Sequence, residues 1–473
     1  MQPDELVAMF DPCRCPQTLY SARLHAAADT VFARRAFIAG AAASFAALFL
    51  PPGARAAGST GPAPTADTVT ILRAARLFDG VQMHAPGVIV VRGDRVVSRN
   101  AGDAGSGAAT IDLGDATLMP GLIDAHTHVA ARVVTSSYMT AFGPKNEAAT
   151  SIAEAALLSI ANAQAMLANG FTSIRDVGGG GGIDLAMRDA IARGAVQGPR
   201  ILAAGSALSI TGGHGDTNDL PPWVHLESDE LPSTAAGPYG FREQVRQHVK
   251  RHVDLIKITA TGGVLSYGDD FDVPQLNLDE IVAVVDEAAK FGRKVSAHCH
   301  GDRGIAVAVA GGCHSIEHGS GVGQATLHEM RRRSTYLVPT IWALDSILQP
   351  GNPNRVAQNG LEKAHHAATI RNEGMQRALA TSVKFAYGTD AGVFPHAENN
   401  RDFALLQSMG MHPLDLLLSA TSSAADLLGT RDRGRIAPTM LADIAAFGGD
   451  PSRDAALLER KPALVMLGGK RIS

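Results

Sequence analysis

From about residue 120 onward, the chain alternates short apolar runs with longer stretches of helical period. The runs are "GLIDAHTHV", "FTSIRDVGG", "PRILAAGSALSI", "LIKITATGG", "VSAHCHG", "SIEHG", "YLVPT" and "KFAYGTDAG". Between them lie segments such as "SIAEAALLSIANAQAMLANG" and "LDEIVAVVDEAAKFG", whose apolar positions recur with the spacing of one helix face. Strands that are apolar throughout, each followed by a helix, predict a parallel sheet buried on both faces. Eight of them predict an α/β fold, a (β/α)8 barrel of the TIM type. A doubly wound open sheet is the rival, but no GxGxxG turn opens a helix after the first strand, and "GGGGG" at Gly178–Gly182 is too featureless to serve.

The two ends of the chain carry a different pattern. "TVTILRAARLFDG", "GVIVVRGDRVVSRN" and "ATIDLGDATLMPG" read as short strands joined by turns, as do "GRIAPTMLADIAAFGGD" and "ALVMLGGKRIS". The expectation is a small β-sandwich built from residues 58–119 and 431–473, with the barrel, residues 120–430, inserted between them.

Residues 1–57 read as a leader. Arg34 and Arg35 precede Phe37 and an apolar run from Ala36 to Leu50, Pro51 and Pro52 break it, and Ala54-Arg55-Ala56 is a small-x-small cleavage site. This is the pattern of a twin-arginine export signal, which predicts a periplasmic or secreted protein. The run falls short of the roughly 20 apolar residues a span needs, so no membrane span is expected in the mature chain.

Composition narrows the function classes. A formal net charge of −4 with 19% charged residues gives no electrostatic reason to expect nucleic acid as a partner. Aromatic content of 5% argues against a stacking platform for bases or sugars. Cys13 and Cys15 fall in the leader, leaving Cys299 and Cys313, too few for a disulfide framework.

In "VDLIKITATGG", Lys257 stands inside an apolar, β-branched run. Lysine is almost never fully buried without a partner. His126 and His128 lie two apart at the end of the first run, so both point to one face. With 17 histidines in 473 residues, chance gives about 0.6 such pairs, so the pair alone is weak and reads equally as two satisfied polar side chains. His298 and His300 in "AHCHG", His318 in "IEHG" and Asp390 in "YGTDAG" end other runs. Catalytic residues of such barrels sit at the C-terminal ends of strands, and together these form a candidate nitrogen and oxygen metal site. A neutral Lys257 amine can add carbon dioxide to become a carbamate, replacing a costly buried cation with an anionic ligand shared by two divalent ions.

His-x-His after the first strand, Lys after the fourth, His after the fifth and sixth and Asp after the eighth resembles the amidohydrolase superfamily, in the subtype with a carboxylated lysine between two metals. The resemblance spans Val69 to Ser473. "SITGGHGD", "TGGVLS" and "GTDAG" are similar to zinc dipeptidases and carboxypeptidases acting on Xaa-Pro and Xaa-Arg peptides, and to amidohydrolases that cleave ochratoxin A. The resemblance implies that His126, His128 and Asp390 bind the more buried ion, most simply zinc, and that His298 and His318 bind the more exposed one, with carboxylated Lys257 bridging. It implies attack of a metal-bridging hydroxide on a small amide or dipeptide, with Asp390 as proton shuttle, and assembly as a homo-oligomer. Imidazolonepropionase-like relatives lack the strand-four lysine, and Lys257 argues against them.

Around that centre, His300 is expected to steady the oxyanion or the substrate carboxylate, its alternative being a supporting histidine. His214, in the long loop after the third strand, is expected to face the substrate. Tyr267, Arg175 and Arg303 are further candidates for substrate contact, against packing for the tyrosine and structural ion pairs for the arginines. Asp269, Asp270 and Asp272 in "YGDDFD" read either as an acidic pocket for a basic leaving residue or as a solvated turn, and the second favours apolar or broad specificity. A same-fold hydrolase of cyclic amides, lactones or phosphoesters, and a catalytically silent scaffold, are the alternatives; a scaffold has no need of the full ligand set.

Overall fold

A computed structural model describes residues 68–131, 151–216, 218, 234–266, 268–350 and 358–473. The expected export signal and leader with Cys13 and Cys15, residues 217 and 219–233 of the loop after the third strand, and Tyr267 lie outside the described residues.

The apolar runs form the expected strands of a parallel (β/α)8 barrel: Leu122–Thr127, Phe171–Asp176, Arg200–Ala203, Leu255–Thr259, Lys294–Cys299, Ser315–His318, Tyr336–Val338 and Lys384–Phe385. The first three pair in parallel as one sheet and the last five as another. Shorter contacts close the two gaps. Asp254 N donates to Ala203 O at 2.8 Å and Leu208 bridges to Ile258 between the third and fourth strands. Ala125 N donates to Tyr387 O and Asp390 N to His126 O, both at 2.8 Å, between the first and eighth. Gly388 makes this last approach: a Cβ there would lie 2.3 Å from a Val338 methyl and 2.9 Å from His126 Cβ. A side chain at that position would pry the barrel open.

Every residue of the first, second and fourth strands is buried. Their outward faces pack under helices and their inward faces fill the barrel, which is why they read as unbroken apolar runs. The helix Leu278–Ala289 starts at Asn277, whose N–H is returned to Glu280 Oε2 at 2.9 Å, a capping arrangement that ends the preceding loop. Among the described residues no helix is long and apolar enough to cross a membrane.

Beside the barrel, two sheets face each other. One orders Arg95–Ser98, Gly87–Arg92, Val69–Ala74 and Ala109–Asp112; the other orders Lys470–Arg471, Leu464–Leu467, Ile444–Gly448, Ala116–Pro120, Arg76–Phe78 and Met83–His84. Leu72, Ile89, Leu118, Ile444 and Leu464 are buried between them. Strand Ala116–Pro120 runs through Gly121 directly into the first barrel strand. Arg200 of the third barrel strand binds Asp443 bidentately at 2.8 and 3.1 Å, tying barrel to sandwich.

Candidate metal centre

The polar ends of six barrel strands converge at one mouth. His126 is buried, with Nε2 3.4 Å from Asp390 Oδ1 and Nδ1 2.8 Å from Glu317 Oε2. His128 Nε2 lies 3.1 Å from the same Asp390 oxygen, and its Nδ1 is 2.9 Å from Gly178 O. Each ring therefore has one nitrogen fixed by the protein and the other turned to a shared carboxylate, the orientation that ligating histidines need. Burial alone would raise the Asp390 carboxyl, but His126 and His128 outweigh it and hold the group ionised. Asp124 lies beneath, accepting from Thr389 Oγ1 at 2.7 Å and from the His126 N–H at 3.1 Å, so it fixes both strands that deliver these groups.

His298, His300 and His318 form the second half. Their ring centroids are 4.6 to 4.8 Å apart, and His318 also lies 4.9 Å from His126. His318 Nδ1 meets Thr340 Oγ1 at 2.7 Å and His300 Nδ1 meets Ser320 Oγ at 2.8 Å. Desolvation, reinforced by neighbouring histidines, pushes His298 and His318 well below the ordinary imidazole range, so these rings are neutral donors. Asp390, His318 and Thr340 all adopt left-handed backbone, at φ 64°, 67° and 47°. Such residues cost about 1–3 kcal/mol each and persist where the surroundings enforce them.

Lys257 is 3% exposed. No hydrogen bond or ion pair among the described residues reaches its ammonium; burial lowers it to about 8, against the pull of Glu317 and Asp390. The donor set fits divalent metal ions. Ligand atoms of His126, His318 and Asp390 lie within 4.8 Å of one another, as do those of His298, His300 and His318. Neutral imidazoles and a carboxylate are the ligands that zinc and its neighbours take. His300 thus stands among the histidines that can hold an ion, a place that the reading of it as an oxyanion or carboxylate contact did not include.

His214 stacks on His298 at 4.2 Å, and its buried Nδ1 has no hydrogen-bond partner among the described residues. Arg175, a candidate for substrate contact with a structural ion pair as its alternative, takes the second role: it is 3% exposed inside the barrel, where it donates to Ala125 O, to Ser315 Oγ at 3.1 Å and to Glu317 Oε1 at 2.8 Å. Its guanidinium is spent on holding Glu317, which holds His126. Arg303 is exposed and lines a cavity of about 260 Å³ with Asp272, Asp302 and His366, and none of the clustered histidines lines that cavity. Asp269 is not a free acid: its side chain is 6% exposed and pairs with Lys363 at 3.0 Å. Glu317, Asp124 and Lys363 carry roles that the sequence reading missed. For Glu317 the signal was present, an acid inside the apolar run "SIEHG", as conspicuous as Lys257 in its own.

Residues 117–472 match the model of the amidohydrolase family. The chain is 30% identical to an ochratoxinase of Aspergillus niger over 369 residues, covering 75% of each chain. A crystal structure of a Xaa-Pro dipeptidase with bound methionine in the active site superposes with a TM-score of 0.77 at 32% identity, covering 86% of this chain and all of that one. The crystal structure of the A. niger ochratoxinase gives a TM-score of 0.75 at 27% identity, covering 86% of this chain and 96% of that one. A barrel whose histidine-lined mouth could hold metal ions, with a flanking β-sandwich, is thus accompanied by sequence likeness across most of its length, and the chain belongs to the amidohydrolase family.

Proposed function

We propose that this chain is a binuclear metal hydrolase that releases the C-terminal amino acid from dipeptides or N-acyl amino acids, aryl amides of the ochratoxin kind included. Family membership and the likeness to an ochratoxinase and a Xaa-Pro dipeptidase support metal-dependent amide hydrolysis. The observation that carries the binuclear reading is Lys257, a buried amine that no hydrogen bond or ion pair among the described residues reaches, under the influence of the Glu317 and Asp390 carboxylates. As a carbamate, formed when Nζ adds to carbon dioxide and sheds a proton, it would bridge two ions. His126, His128 and Asp390 would hold one, and His298 and His318 the other, with His300 beside them.

Bound there, two divalent ions, zinc first among them, supply a nucleophilic water at neutral pH and polarise the amide carbonyl. Asp390, kept ionised between two histidines, accepts a proton from the attacking water and returns it to the leaving nitrogen. His214, stacked on His298 with a buried nitrogen that has no partner among the described residues, faces the substrate. Since Lys363 neutralises Asp269, an apolar leaving residue is favoured over a basic one.

The test is a screen of dipeptides and N-acyl amino acids on metal-loaded protein, following amine release. Hydrolysis of lactones or phosphoesters without any amide would replace this reading. In Lys257→Ala, loss of both metal and turnover is expected; full metal content with normal turnover removes the bridge. Less than about one metal per wild-type chain favours a silent scaffold.

A further inference from the structure

Helix Gln358–Thr381, after the seventh barrel strand, lays Lys363 against the loop that leaves the fourth. Its ammonium donates to the carbonyls of Gly263 at 3.1 Å and Ser266 at 2.9 Å and to Asp269 Oδ1 at 3.0 Å. Asp269 accepts in turn from Ser266 Oγ at 2.6 Å, from the Gly263 N–H at 3.1 Å and from Gln275 Nε2 at 3.1 Å. The loop so gathered touches both neighbouring histidines. Gln275 Oε1 accepts the His214 N–H at 2.9 Å, and Gly262 O lies 3.2 Å from His298 Nε2. A Cβ at Gly263 would sit 2.1 Å from the His214 ring, so that ring presses on bare backbone.

The same loop forms a wall. Asp269, Asp270 and Phe271 line a cavity of about 380 Å³ with Glu362, Lys363 and His366, and the Phe271 ring stands 5.8 Å from His300. We propose that Lys363 is a positioning residue: it clamps the fourth-strand loop so that His214 and His298 stay stacked, and it leaves that wall without an unpaired Asp269, so that the site accepts a leaving residue with an uncharged side chain. The side-chain preference rests on the hydrolase reading above; the clamp does not. A lysine donating to two carbonyls and a carboxylate has all three protons committed, so its removal frees several loop contacts at once.

The experiment uses full-length, metal-loaded protein with Lys363→Met and Lys363→Arg. Amide hydrogen exchange at Gly262 and Gly263 is expected to speed up about tenfold or more in Lys363→Met and to return most of the way in Lys363→Arg. KM for an amide with an apolar leaving residue should rise about tenfold while kcat changes less. The ratio of kcat/KM for an arginine leaving group over a leucine one should climb several-fold as Asp269 loses its partner. Unchanged exchange in that loop overturns the clamp, and an unchanged KM with unchanged selectivity overturns the preference. If Lys363→Met does not fold, Asp269→Asn breaks the same pair and is read by loop exchange and by KM, with no gain in arginine selectivity expected because the carboxylate itself is gone; unchanged exchange there overturns the clamp. If wild-type protein cleaves no amide, the hydrolase reading falls while the exchange arm still decides the clamp.

Discussion

Arg175 and Glu317 meet at 2.8 Å inside the barrel, one on the second strand and one on the sixth, both almost excluded from solvent. The pair lies beside the candidate metal ligands, and Glu317 passes the contact on to His126 Nδ1. Burial alone would raise the Glu317 carboxyl; Arg175 and His126 outweigh it and hold it at about 2.

Glu317→Gln is expected to leave a buried guanidinium without its counter-charge, at a cost of about 3 kcal/mol in unfolding free energy. Metal affinity should fall about 10- to 100-fold as the His126 ring loses its anchor. The pH dependence has a definite sign. A carboxyl held below its ordinary 4.5 stabilises the fold above that pH and loses its contribution as pH falls toward 2. Urea unfolding between pH 5 and 2 should therefore show a steeper loss in wild type than in Glu317→Gln; parallel curves would remove the linkage.

Asp390→Asn keeps the shape of the side chain and removes its basicity. Turnover is expected to drop by about 10²- to 10⁴-fold with secondary structure intact. Near-normal turnover by steady-state kinetics would exclude Asp390 as the proton carrier.

Removing the ions with a chelator should destabilise the protein. Ions present at 100 times their dissociation constant stabilise the folded state by about 2.7 kcal/mol. The melting temperature by calorimetry should fall on chelation and recover when zinc is restored, and a melting point indifferent to both would argue that the histidine cluster binds nothing.

Asp443→Ala breaks the bidentate tie to Arg200 and strips the Gly468 N–H of its acceptor at 2.7 Å. A loss of about 2 kcal/mol is expected in denaturant unfolding. Turnover per folded molecule should not change, because this contact joins barrel to sandwich and touches no group at the mouth.

The eight strands were legible because burial on both faces removes alternation and leaves unbroken apolar runs. Lys257 stood out for the same reason, a charge where the pattern forbids one. Direction within the barrel was not legible. "SIRDVGG" reads alike whether Arg175 points to the mouth or to the interior, and the acid that settles it lies 142 residues away. Asp269 was ambiguous on similar grounds, since Lys363 is 94 residues distant and no local spacing joins them. His300 shares a face with His298 by spacing, but its closeness to His318 depends on how two strands are staggered.

Strand Ala116–Pro120 pairs with Ile444–Gly448, and the Thr117 hydroxyl reaches Gly449 O at 2.7 Å, 332 residues away. During synthesis, strand Ala116–Pro120 must therefore wait with an open edge until its partner strand and Gly449, 332 residues beyond Thr117, have left the ribosome. Loop closure on that scale makes assembly slow and exposes sticky backbone meanwhile. A ribosome-stalled chain ending before Ile444 should carry that edge uncovered, a template for aggregation that chaperones would have to shield.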